Sequence, residues 1–102
     1  MEREFYLLSS HGSALFYIAV HPGCTIHEMA DGLCLTRRTL WGLVGDLRRQ
    51  DMLLIRRDGR EHHYYVDMKA EFVHPTLGPV PLRVILGRLT AETSLAAPVA
   101  AA

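Results

Sequence analysis

Seven of the chain's arginines lie between residues 36 and 60, as the pairs Arg37-Arg38, Arg48-Arg49 and Arg56-Arg57 and the single Arg60. A guanidinium is permanently charged and presents its donors as a planar fork, which suits phosphate oxygens and the acceptor edges of nucleic-acid bases. With only Asp46, Asp51 and Asp58 among them, residues 36–60 carry a net +4, whereas residues 1–35 sum to −3 and residues 61–102 to −1. A neutral chain whose positive charge is gathered in one segment can hold a polyanion locally without attracting it everywhere. Binding, rather than bond-making, is the chemistry this pattern points to.

The other reactive side chains give weaker patterns. Six histidines and two cysteines invite metal or thiol chemistry, and Cys24, His21 and His27 fall close together. Paired ligand spacings of the CxxC or HxxxH kind are absent, and His62 and His63, adjacent in an extended segment, point to opposite faces. No cofactor or metal is expected. A helix between Cys24 and Cys34 would hold their alpha carbons about 12–15 Å apart, too far for a bridge, so both are expected as thiols. No nucleophile elbow, phosphate loop or paired acid motif marks the chain as an enzyme.

Positioning the arginines falls to a short series of elements. At 102 residues and 49% apolar content the chain fits one globular domain. Its longest apolar run, "ALFYIAV", is far short of the roughly 20 residues a membrane span needs, and Glu2 and Glu4 are wrong for a signal peptide. A soluble, cytoplasmic protein with no membrane partner is the expectation. "SALFYIAVHPG" predicts a helix over residues 10–20, stopped by His21, Pro22 and Gly23. Thr25 and Glu28 have the spacing of a capping box, which starts a second helix that Gly32 would end. Thr36 suits the N-cap of a third, in which Leu40, Leu43, Val44 and Leu47 recur on one face.

"LLIRRDGREHHYYV" then reads as a hairpin over residues 53–66, with Asp58-Gly59 central in a type I′ turn and Leu53, Ile55, Tyr64 and Val66 on one face. Residues 68–80 look like an irregular connector. Residues 81–90 regain helical spacing through Leu82, Ile85, Leu86 and Leu89. Residues 1–9 form an arm, and the alanine-rich residues 91–102 are expected to be disordered. The fold class is mainly α with a small β-hairpin, that is, α+β.

Two capped helices joined by a three-residue turn and followed by a basic hairpin resemble a winged helix-turn-helix. The segment from Thr25 to Val66 is similar to small bacterial transcription regulators of the broad MarR- and ArsR-like class. The shared positions are Thr25, Glu28, Met29-Ala30, Leu33, Thr36, Leu47, Gly59-Arg60 and His63-Tyr64. The similarity extends over residues 10–67, and His74-Pro75 followed by a short helix is also found in some members. The resemblance implies a DNA-binding domain at 10–67 and a recognition helix at about 36–51 in the major groove. It further implies a wing at 53–66 on flanking backbone and a homodimer that regulates transcription by reading double-stranded DNA, with the effector left open.

On that helix, turning Leu40 and Leu47 inward leaves Arg38, Gly42, Gly45 and Arg49 opposite, with Arg37, Trp41 and Arg48 on one shoulder. Arg37 and Arg38, in the first turn next to Thr36, are the expected base readers. Arg48 and Arg49 complement the helix dipole and reach phosphate, and Arg56, Arg57 and Arg60 serve the wing. Glu61 stands where the resemblance implies a further basic residue. Trp41 has two open roles: contacting DNA, or filling the shoulder against a neighbouring element. Leu82, Ile85, Leu86 and Leu89, with Phe5, are the expected dimer surface, the alternative being packing within the chain. The competing function is a winged-helix module that binds an acidic protein partner, and the next is a metal- or thiol-responsive repressor.

Overall fold

In the computed structural model, which describes residues 8–88 and residue 90, each of three helices begins at a hydroxyl that caps it. Helix α1 (Ser10–Val20) follows Ser9, whose Oγ accepts the Gly12 N–H at 3.1 Å. Before α2 (Ile26–Leu33) the capping box closes in both directions: Thr25 N–H donates to Glu28 Oε1 at 2.8 Å, and Glu28 N–H donates to Thr25 Oγ1 at 3.2 Å. Before α3 (Arg37–Arg49), Thr36 Oγ1 accepts the Thr39 N–H at 3.1 Å. Each such cap stabilises its helix by about 1 kcal/mol.

The second helix does not stop at Gly32. It continues to Leu33 and ends at Cys34, which takes the left-handed conformation at φ 56°. Gly32 serves packing instead: a Cβ there would lie 2.4 Å from Tyr17 Cε2. The bare backbone lets the Tyr17 ring of α1 lie across α2, and the Tyr17 hydroxyl donates to the Glu28 carbonyl at 3.2 Å.

Strands β1 (Leu53–Asp58) and β2 (Glu61–Val66) pair antiparallel with Leu53 opposite Val66 and Ile55 opposite Tyr64. The turn between them is shifted by one residue from the sequence expectation. Its centre is Gly59-Arg60, and only Gly59, at φ 63°, is positive, which is the pattern of a II′ rather than a I′ turn. On its other edge β2 meets the segment before α2. Gly23 N–H donates to the Tyr64 carbonyl and Tyr64 N–H to the Cys24 carbonyl, each at 2.9 Å.

Residues 68–80 are not an irregular connector. Strands β3 (Glu71–His74) and β4 (Gly78–Pro81) form a second antiparallel hairpin. Pro79 and Pro81 pair with Val73 and Glu71. These positions are two apart and so of one kind in the alternating ladder, which lets it form without a proline N–H.

Residues 82–88 are helical. Leu82 and Leu86 are 2% and 4% exposed and join Leu15 and Ile18 of α1, Met29 of α2, Leu40, Val44 and Leu47 of α3, and Tyr64 in one core. The architecture is thus α+β: helices packed around an apolar centre, with two antiparallel hairpins. Among the described residues, no helix is long and apolar enough to cross a membrane. Phe5, Leu89, the arm before Leu8 and the tail from residue 91 lie outside the described residues.

Candidate nucleic-acid interface

The inward stripe of α3 is Leu40, Leu43, Val44 and Leu47, all buried. Its outward side therefore consists of what remains, and Thr36, Arg37, Arg38, Trp41, Gly42, Arg48 and Arg49 are all exposed. Arg56 and Arg57 on β1 and Arg60 in the turn are exposed as well. Each residue expected to contact DNA thus reaches the surface. The Thr36 hydroxyl is engaged as the cap and also donates to Thr39 Oγ1 at 2.9 Å.

The guanidinium groups fall into two kinds. Arg37 Nη2 donates to His27 Nδ1, and Arg49 Nη2 donates to Asp46 Oδ1. Asp46 also faces His11 Nε2 of α1 through Oδ2 at 2.7 Å. The bond from His11, with the help of Arg49, holds the Asp46 carboxyl below its ordinary range. Arg38, Arg48, Arg56, Arg57 and Arg60 make no ion pair or side-chain hydrogen bond among the described residues. These five forks keep their donors free of other described side chains, while Arg49 is partly neutralised on its own helix.

Trp41 is 57% exposed, so it does not fill a shoulder of the core. With Arg37 it lines a groove of about 650 Å³, whose other walls are Thr25, Ile26, His27 and Glu28 of the α2 start and Glu61 and His63 of β2. A smaller groove of about 350 Å³ is lined by Arg56, Arg57, Asp58, His63 and Tyr65. His63 belongs to both, which makes one surface from the first turn of α3 to the face of the hairpin. Its Nδ1 lies 2.8 Å from the Gly23 carbonyl, anchoring β2 to the start of α2.

The two glycines of α3 differ in surroundings. A Cβ on Gly42 would meet nothing within 4 Å, whereas one on Gly45 would lie 3.5 Å from Arg49 Nη1. Glycine in a helix interior costs about 1 kcal/mol relative to alanine. No packing within the described chain requires that cost at Gly42, and the helix is bare there beside Arg38 and Trp41.

The expected dimer surface needs correction. Leu82 and Leu86 are buried within the single chain. Burying a leucine stabilises the monomer by roughly 1.5–3 kcal/mol, so these two side chains belong to the core and are not offered to a second copy. Val84 and Ile85 remain outside, 58% and 38% exposed. Ile85 borders an apolar groove of about 470 Å³ that it shares with Leu8, Leu15, Leu47 and Phe72.

Cys24 is buried and Cys34 exposed, both as free thiols. Burial, then the nearby Glu28 charge, pushes the Cys24 thiol up to about 11. No group of three or more His, Cys, Asp or Glu side chains that could hold a metal occurs among the described residues. His27 and His63 make structural bonds instead, and His21 packs against the Tyr17 ring with centroids 4.4 Å apart. Sequence spacing missed these bonding roles, and that of His11, because each joins separate elements. No protein-family model, curated protein or solved structure matches the chain.

Proposed function

We propose that the chain is a winged-helix regulator of transcription that binds double-stranded DNA as a homodimer. In this reading α3 lies in the major groove and the β1–β2 hairpin is the wing on flanking backbone. The observation that carries it is the outer side of α3: exposed, bare at Gly42, and continuous through His63 with a hairpin that bears three more unpaired guanidinium groups. The major groove is wide enough to admit one helix with its side chains, and Gly42 leaves the backbone of α3 open to close approach there. Arg38, beside Arg37 in the first turn, is placed to pair with guanine, while Arg48, Arg56, Arg57 and Arg60 suit phosphate.

A single helix reads a short site, and a two-fold dimer doubles it. With Leu82 and Leu86 in the core, the dimer contact falls to exposed apolar side chains beside the groove, Val84 and Ile85 foremost. Ile85→Glu should then give monomers that stay folded, whereas an unchanged mass by light scattering would move the contact elsewhere.

The test is selection from a pool of random duplexes. Enrichment of one motif supports the reading, and a pool that stays random contradicts it. If the unpaired Arg48, Arg56, Arg57 and Arg60 each neutralise one phosphate, affinity should fall roughly 150-fold per chain between about 50 and 200 mM salt. The exposure of Trp41 favours one other reading, a module that docks an acidic protein with this indole as the anchor. Such a module would select no duplex sequence.

A further inference from the structure

We propose that His27 is a positioning residue that sets the aim of Arg37, an inference that rests on reading α3 as the DNA-facing helix. A guanidinium has donors only and keeps its charge throughout the working pH range. The ring nitrogen that meets Arg37 Nη2, Nδ1 of His27, must therefore supply a lone pair. In a neutral imidazole that places the proton on Nε2, which faces Asp31 Oδ2 at 3.5 Å one turn further along α2. The chain Asp31, His27, Arg37 runs from α2 to the first residue of α3. Its base is rigid because the Thr25–Glu28 capping box fixes the turn of α2 on which His27 sits.

The choice of acceptor matters. Arg49 is held by the Asp46 carboxylate, and its charge is offset on the spot. Arg37 is held by a neutral ring, which orients the fork and leaves its full charge and remaining donors for a partner. Glu28 and Glu61 line the same groove. Without the imidazole, those carboxylates are the competing acceptors, and a fork drawn to one of them would have its charge offset as that of Arg49 is. His27 thus separates direction from neutralisation: Arg37 arrives at the duplex aimed and still cationic.

The test uses the full chain. In the free protein, nitrogen-15 NMR of His27 should show the tautomer protonated on Nε2, with the Nδ1 signal shifting in Arg37→Ala. Duplex selection should then find that Arg37→Ala loses about 5- to 150-fold of discrimination at one base pair, the range for a bidentate base contact. His27→Ala should lose at least fivefold at that same pair while overall affinity changes little. His27→Asn, whose side-chain oxygen replaces the Nδ1 acceptor, should retain the discrimination, and His27→Ala should add nothing in an Arg37→Ala background. A His27 tautomer protonated on Nδ1, or a His27→Ala motif identical to that of the unmodified chain when Arg37→Ala has changed it, overturns the positioning role alone. A chain that selects no sequence while keeping the expected tautomer overturns that role together with the DNA reading.

Discussion

His11 of α1 and Asp46 of α3 face each other at 2.7 Å, Nε2 to Oδ2, and so tie the first helix to the helix that carries the exposed arginine pairs Arg37-Arg38 and Arg48-Arg49. Asp46 also holds Arg49. Its carboxyl is depressed chiefly by the His11 bond, so its contribution to stability is complete above the ordinary carboxylate value of about 3.9 and is lost as pH falls through the lowered value. Asp46→Asn should therefore be less stable than the unmodified chain near neutrality, with the difference vanishing in strong acid. Urea denaturation at a series of pH values checks this, and a difference independent of pH would contradict the tie. The same substitution frees Arg49 and should raise affinity for duplex DNA of any sequence.

Gly32 and Gly42 should respond to alanine in opposite directions. At Gly32 the new methyl would meet the Tyr17 ring, which forces the ring to move and endangers its bond to Glu28, at a packing cost of about 1–3 kcal/mol set against the roughly 1 kcal/mol gained by replacing a helical glycine. At Gly42 there is open space, so alanine should stabilise α3 by about 1 kcal/mol. In the proposed complex the methyl would stand between α3 and the groove floor, so duplex affinity should fall. Thermal melts and binding titrations on both variants decide the matter. Unchanged affinity in Gly42→Ala would remove close approach as the reason for the glycine.

Where the sequence could be read well, the physics was local. Thr25 with Glu28, Thr36 before an apolar stripe, and the alternation of Leu53, Ile55, Tyr64 and Val66 each predict an element from neighbours a few residues away, and α1, α2, α3 and the first hairpin form within a residue or so of those limits. The second hairpin was illegible because Pro75, Pro79 and Pro81 argue against strands; only the register shows that Pro79 and Pro81 occupy pairs that need no N–H. The fate of Leu82 and Leu86 turned on which surface of the rest of the chain met their helix, and a stripe pattern does not carry that information. Among the candidate site residues, types and exposure were legible. The partner of Arg37 was not, since His27 lies on another helix, whereas Asp46 stands three residues before Arg49 on the same helix, a spacing that pairs opposite charges.

The two thiols should differ in reactivity. Cys24 is buried and its thiol is pushed up to about 11, so at neutral pH it is almost wholly protonated and also shielded. Cys34 is exposed in the turn between α2 and α3. Iodoacetamide applied to the native chain near pH 7.5 should modify one cysteine per molecule, mapped to Cys34 by mass spectrometry, and a second only after denaturation. Rapid modification of Cys24 in the folded chain would contradict the packing of the segment that pairs with Tyr64.

The central claim is that the outer side of α3 meets the duplex. A nitrogen-15-labelled chain titrated with a short duplex of random sequence at low salt tests it most directly, because phosphate contact needs no particular base order. Amide signals of Arg37, Arg38, Trp41 and Gly42, and of Arg60 in the wing, should shift together, while those of Val84 and Ile85 stay in place. Shifts confined to the groove beside Ile85, or none at all on α3, would contradict the account.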